Sequence, residues 1–107
     1  MSNDVLERLA ATIRARRSAA ATGSSYTRQL LDAGPAGCAK KLGEEAIETI
    51  IAGASESDDK LKQEAADLLY HLLVLLESRG VSLEDVLGVL EQRSGKSGLE
   101  EKAGRPQ

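Results

Sequence analysis

Apolar residues recur at helical spacing along most of this chain, and nowhere do they alternate as a half-buried strand requires. In the segment KKLGEEAIETI at 40–50, Leu42, Ala46 and Ile50 form one stripe. The run LLYHLLVLL at 68–76 is apolar on nearly all sides, which predicts a helix at the centre of the fold or in a subunit interface. We therefore predict an all-α bundle of four to five helices.

Helix caps, glycines and prolines bound the predicted helices. Asp4 and Ser82 are typical N-cap residues, and Gly34 and Gly80 are typical helix ends. The predicted helices run from Asp4 into a frayed end in 14–25, around 26–34, from about 36 to 54, from about 57 to 79, and from 82 to near 95. The residues after 95 form a charged tail, and the 107 residues are expected to form a single domain.

The composition restricts both the core and the partners. Aromatic residues make up 2% of the chain, with no Trp or Phe, so Leu, Ile, Val and Ala must build the core. A small aliphatic core often needs a second subunit to bury enough apolar surface, which predicts a homodimer. The net charge of −3 argues against a general nucleic-acid binder.

The single cysteine and the short apolar runs indicate where the protein works. Cys38 has no partner for an intrachain disulfide, and we expect it to fill space in the core. The longest apolar run is too short to cross a bilayer, and the N-terminus lacks the apolar run of a signal peptide. We expect a cytoplasmic protein without a membrane partner.

Five carboxylates fall in two short segments. Glu44, Glu45 and Glu48 lie within roughly a third of the circumference of one predicted helix. Glu64 and Asp67, spaced i,i+3, share a face of the next helix. The connection between these helices is short, so we expect antiparallel neighbours whose acidic patches face each other.

A groove with five carboxylates among aliphatic residues is strongly unfavourable unless cations neutralise it. Mg²⁺ prefers oxygen ligands and retains waters that a substrate phosphate can replace. We therefore predict an Mg²⁺ site. The alternative to a metal site is that these acidic residues simply lie on solvent-exposed faces of their helices. A di-iron bundle would need Glu-x-x-His on two helices, and the chain has only His71, which we expect to be a hydrogen-bonded core residue.

The spacing Glu44-Glu45-x-x-Glu48 followed by Glu64-x-x-Asp67 resembles the signature of the MazG-type all-α nucleotide pyrophosphohydrolases. Several blocks are closer to one branch, the phosphoribosyl-ATP pyrophosphohydrolases of histidine biosynthesis. These blocks are SYT at 25–27, KKLGEEAIE at 40–48, EAADLLYHLLVLL at 64–76, RGVSLEDVLGVLEQR at 79–93 and SGLEEK at 97–102.

The resemblance implies hydrolysis of the α–β phosphoanhydride of phosphoribosyl-ATP, giving phosphoribosyl-AMP and pyrophosphate, with Mg²⁺ held by the five acidic residues. It implies that Lys41 contacts phosphate, although a salt bridge to Glu45 is an equal alternative. Glu45 and Glu48 are both candidates for the general base. Tyr26 is a candidate for stacking on the substrate or hydrogen bonding to it, and packing on the bundle is an equal alternative for this residue. The candidate ligands of the ribose 5′-phosphate are Ser97, Lys102 and Arg105.

Two other functions fit the same residues. A housekeeping pyrophosphatase for ordinary nucleoside triphosphates would use the same metal site without reading the phosphoribosyl group. A non-enzymatic helical dimerisation module would retain its function after Glu44→Ala or Asp67→Ala, and relief of repulsion would even raise its stability.

Overall fold

The computed structural model describes residues 4–18 and 25–94, and these ranges contain helices and no strand. The five helices are α1 (Asp4–Ser18), α2 (Tyr26–Asp32), α3 (Gly34–Ser55), α4 (Asp58–Ser78) and α5 (Leu83–Ser94). The predicted all-α bundle is confirmed. Ser97, Lys102 and Arg105 of the predicted tail site lie outside the described residues.

Most helix ends follow the predicted capping residues. The Ser57 hydroxyl accepts a hydrogen bond from the Lys60 amide at 3.1 Å, and the Ser82 hydroxyl accepts one from the Asp85 amide at 3.0 Å. Gly80 follows α4 with a φ of +70°, a conformation that glycine adopts without strain. α1 begins at Asp4, where the sequence predicted its start, and the capping role of the Asp4 side chain stays a prediction.

The third helix begins two residues earlier than predicted. Gly34 has a φ of +78°, so the chain reverses direction at this residue, and Pro35 suits the first turn that follows. Only Ala33 therefore separates α2 from α3. The short break between the two helices is as predicted, but it lies two residues earlier in the chain.

α3 and α4 form an antiparallel hairpin, with α4 at the centre of the bundle. Gly53 lies beside Leu61, and Thr49 beside the carbonyl of Glu64, so residue numbers rise on α3 as they fall on α4. α4 also contacts α1 and α2, as its apolar sequence predicts. The buried core cluster contains Ile13, Cys38, Leu73, Val74 and Leu83.

This packing places both acidic segments on the hairpin, away from the core cluster. Each buried aliphatic side chain of the core stabilises the fold by about 1.5–3 kcal/mol. Cys38 is 2% exposed and fills space in the core, as expected. Among the described residues, no helix combines the length and the apolar character needed to cross a membrane.

Candidate active site

Three carboxylates from the hairpin meet at one point. Glu45 and Glu48 of α3 and Glu64 of α4 each place a carboxylate oxygen within 4.8 Å of the other two. Glu45 and Glu64 are buried, at 7% and 6% exposure, whereas Glu48 is exposed. We call this group the carboxylate cluster. Carboxylate oxygens from two helices at this separation are a donor set that suits a hard divalent cation.

Glu64 provides the clearest sign that a cation is needed. Its Oε2 lies 3.0 Å from the Lys60 ammonium, whereas its Oε1 is buried and has no hydrogen-bond partner. A buried polar atom without a partner costs about 1–3 kcal/mol, and more when it is charged. The residues therefore fit a bound Mg²⁺, which would coordinate this oxygen.

The charges of the carboxylate cluster act on Glu48. The pKa of Glu48 is raised above the ordinary value, chiefly by the negative charge of Glu45 and then by a hydrogen bond to Glu64 and by its charge. The neighbouring negative charges thus make Glu48 harder to ionise than an isolated carboxyl group. A divalent cation would relieve this repulsion.

Two lysines flank the carboxylate cluster. Lys41 Nζ lies 3.5 Å from Glu44 Oε1 and 3.7 Å from Glu45 Oε2, so the alternative salt bridge of Lys41 is present. The pKa of Lys41 is raised, first by the nearby Tyr26 phenol and then by Glu44 and Glu45, against partial desolvation. The second lysine is Lys60 of α4. Its pKa is also raised, mainly by its hydrogen bond to Glu64.

Sequence reasoning missed Lys60, although its i,i+4 spacing to Glu64 was a visible signal. Lys60 lines an open cavity of about 240 Å³ next to the carboxylate cluster, together with Glu48, Glu64, Ile51 and Glu56. Two of the three residues of the carboxylate cluster, Glu48 and Glu64, thus line this cavity.

Of the five predicted metal ligands, Glu44 and Asp67 lie outside the carboxylate cluster. The Glu44 side chain is half-exposed and pairs with Lys41. Asp67 is exposed, and its backbone carbonyl accepts a hydrogen bond from His71. The structure thus brings together three of the five predicted side chains.

His71 fixes the direction of a hydrogen-bond chain that ends at Tyr26. A carbonyl oxygen can only accept, so His71 Nδ1 carries the proton in its 2.8 Å bond to Asp67 O. In the neutral ring Nε2 is then an acceptor, and the Tyr26 hydroxyl donates to it at 3.1 Å. The oxygen of Tyr26, a half-exposed residue, therefore presents only lone pairs to a ligand. His71 itself is a hydrogen-bonded core residue, as predicted.

The aromatic rings of Tyr26, Tyr70 and His71 pack against one another beside this hydrogen-bond chain. The rings of Tyr26 and Tyr70 lie nearly parallel with centroids 6.3 Å apart, and His71 meets Tyr70 edge-on at 4.9 Å. The hydroxyls of Tyr70 and Thr27 are hydrogen-bonded to each other. These contacts keep Tyr26 at the edge of the site, near Lys41.

Comparison with known proteins places the chain in a family. The sequence profile of the family "Phosphoribosyl-ATP pyrophosphohydrolase" matches residues 6–94. The chain belongs to this family. It is 54% identical to phosphoribosyl-ATP pyrophosphatase 1 of Rhodopseudomonas palustris, over 98% of this chain and 97% of that protein.

Other relatives in the phosphoribosyl-ATP pyrophosphohydrolase family match over nearly the same length. The phosphoribosyl-ATP pyrophosphatase of Nitrobacter winogradskyi is 55% identical, over 98% of this chain and 90% of that protein. Phosphoribosyl-ATP pyrophosphatase 1 of Bradyrhizobium diazoefficiens is 57% identical, over 91% of each chain. The resemblance found in the sequence blocks is thus confirmed at the level of the family.

Proposed function

We propose that this protein hydrolyses the α–β phosphoanhydride of phosphoribosyl-ATP, giving phosphoribosyl-AMP and pyrophosphate in histidine biosynthesis, with Mg²⁺ held by the carboxylate cluster. Membership of the family supports the reaction. The proposed metal site is supported by one observation above all, the buried and unpartnered oxygen of Glu64 beside Glu45 and Glu48. When bound, Mg²⁺ supplies polarisation of the phosphoryl groups and lowers the pKa of a coordinated water.

Glu48 is the better candidate for the general base. Glu45 is almost fully buried and pairs with Lys41, whereas Glu48 is exposed and lines the open cavity. A water that approaches the phosphate chain from solvent can therefore reach the carboxylate of Glu48 more easily. Glu48 would accept the proton of this water as it attacks phosphorus.

The flanking lysines have a second role once the cation is bound. Glu45 and Glu64, with which Lys41 and Lys60 now pair, would hold Mg²⁺ and would then attract the two ammonium groups less strongly. We propose that the two ammonium groups then bind phosphate oxygens from opposite sides of the carboxylate cluster and orient the phosphate chain. The predicted phosphate contact of Lys41 and its observed salt bridge are then two states of the same side chain.

Tyr26 is the proposed contact to the nucleoside part of the substrate. Tyr26 is 51% exposed, and its oxygen can accept hydrogen bonds because its proton is donated to His71. Tyr26 can therefore accept a bond from an N–H or O–H of the substrate and offer one ring face for stacking. Ser97, Lys102 and Arg105 remain the proposed ligands of the distal phosphate.

We also propose a homodimer. Ile47, Ile50 and Ile51 of α3 are 59%, 68% and 50% exposed, and Leu69 of α4 is 44% exposed. A second copy of the same face would bury these side chains, each contributing about 1.5–3 kcal/mol when buried completely. The apolar face lies on the same hairpin as Glu48. Neither nucleic acid nor membrane is a proposed partner, and the proposed location is the cytoplasm, where a charged nucleotide intermediate is made and used.

The reaction is tested by measuring pyrophosphate release from phosphoribosyl-ATP, ATP and dUTP, each with Mg²⁺ and with EDTA. We expect Mg²⁺-dependent release from phosphoribosyl-ATP, at least a hundredfold loss in Glu48→Gln, and wild-type activity in the control Glu91→Gln, an exposed residue of α5. Release mainly from ATP or dUTP would favour the housekeeping pyrophosphatase. No release from any substrate would favour the dimerisation module.

A further inference from the structure

Thr49 connects the two helices that carry the carboxylate cluster. Its hydroxyl oxygen lies 2.8 Å from the backbone carbonyl of Glu45 on its own helix and 3.1 Å from the backbone carbonyl of Glu64 on α4. A hydroxyl has one proton to donate, so the two carbonyls share it. Both carbonyls belong to residues whose side chains are in the carboxylate cluster.

The bond to α4 distinguishes Thr49 from other hydroxyl residues of the described helices. A helical Thr or Ser commonly donates to the carbonyl four residues earlier. Thr12 donates to Arg8 O at 3.0 Å in this way, and Ser55 donates to Ile51 O at 3.1 Å. Within residues 4–18 and 25–94, neither hydroxyl donates to a second helix. Thr49 combines this ordinary bond with a directional contact between helices.

A directional contact matters because apolar packing is not directional. Mg²⁺ demands nearly ideal octahedral geometry at about 2.0–2.1 Å, so a small slide of α3 along α4 would separate Glu45 from Glu64. The Thr49 hydroxyl opposes this slide at the two backbone positions from which these carboxylates extend.

We infer that Thr49 is a positioning residue, whose hydroxyl holds Glu45 and Glu64 at the separation that a divalent cation requires. The inference rests on the proposed metal role of the carboxylate cluster. Loss of the hydroxyl leaves the carbonyls free to keep their helical hydrogen bonds, so the bundle remains folded while the cation site loosens. Partners that orient metal ligands typically change metal affinity 10- to 100-fold when they are removed.

The test is Mg²⁺ binding by isothermal titration calorimetry, without substrate, to Thr49→Val, Thr49→Ser and the matched control Thr12→Val. We expect Thr49→Val to bind Mg²⁺ about tenfold more weakly, and Thr49→Ser and Thr12→Val to bind within about twofold of wild type because each retains the Thr49-position hydroxyl. Unchanged binding by Thr49→Val, or an equal loss in Thr49→Ser, would overturn the inference. If Thr49→Val does not fold, Thr49→Ala and Thr49→Ser give the same comparison.

This experiment separates the inference from the proposed reaction. If the wild type binds Mg²⁺ but releases no pyrophosphate from phosphoribosyl-ATP, the reaction is wrong, and the comparison of Thr49→Val with Thr49→Ser still decides the role of Thr49. If the wild type binds no Mg²⁺, the metal site is wrong and the inference is overturned with it.

Discussion

Replacing Glu64 by Gln should stabilise the metal-free protein. The carboxylate oxygens of Glu64 and Glu45 lie within 4.8 Å of each other, a repulsion of about 3 kcal/mol at an effective dielectric constant of about 20. The bond from the half-exposed Lys60 offsets only a small part of this repulsion, because solvent screens it. Gln retains the size of the side chain and can donate to the remaining carboxylates. We therefore expect a net gain of roughly 2 kcal/mol in the free energy of unfolding.

Thermal unfolding followed by circular dichroism measures this gain. For a domain of about this size, 1 kcal/mol corresponds to a Tm shift of roughly 4–8 °C, so Glu64→Gln should raise the Tm by about 10 °C in EDTA. In saturating Mg²⁺ the wild type should instead have the higher Tm of the two proteins. The wild type gains about 2.7 kcal/mol when Mg²⁺ is at a hundred times its Kd, whereas the variant has lost a ligand and gains little.

The control is Glu91→Gln, which removes the same charge from an exposed position outside the carboxylate cluster and should change the stability by less than about 0.5 kcal/mol. A lower Tm for Glu64→Gln in EDTA would refute the reasoning, because it would show that Glu64 supports the fold rather than strains it. Full Mg²⁺ stabilisation of the variant would equally refute it, because the metal would then bind elsewhere.

Three further predictions follow from individual contacts. Tyr26→Phe removes the acceptor oxygen and should raise KM for phosphoribosyl-ATP by about 2- to 10-fold; an unchanged KM in steady-state kinetics would exclude this contact. The raised pKa of Glu48 means that the folded state binds more protons than the unfolded state between the ordinary and the raised pKa, so metal-free stability falls as pH rises through that window. Urea unfolding in EDTA should show this fall in the wild type and a smaller one in Glu48→Gln; equal slopes would contradict the assignment. Ile50→Asp should convert the proposed dimer to monomers in light scattering, whereas Val5→Asp, equally exposed on α1, should not; a wild-type monomer would contradict the dimer.

The sequence predicted the helices well because their apolar period and their caps are local signals. The central position of α4 followed from the same apolar pattern. Gly34 was expected only to end a helix, although a glycine with positive φ can also begin the next one.

The carboxylate cluster was predicted only in part. Consecutive helical residues point about 100° apart, so Glu44 and Glu45 cannot both face α4, and the rotation of the helix about its axis decides which one does. This rotation depends on tertiary packing, so it could not be predicted from the sequence. Contacts between helices that involve backbone carbonyls, such as that of Thr49, leave no periodic signal in the sequence. Lys60 was not singled out because it is one of several lysines with an acidic neighbour in the sequence.

The central claim is that Glu45, Glu48 and Glu64 hold the metal ion on which hydrolysis depends. The most direct measurement is an anomalous-difference map from crystals soaked in Mn²⁺ at a concentration that fully activates the enzyme in solution. The account predicts a peak bonded to carboxylate oxygens of all three residues. A map in which these carboxylates bind no ion, or in which the strongest peak lies elsewhere on the chain, would contradict it.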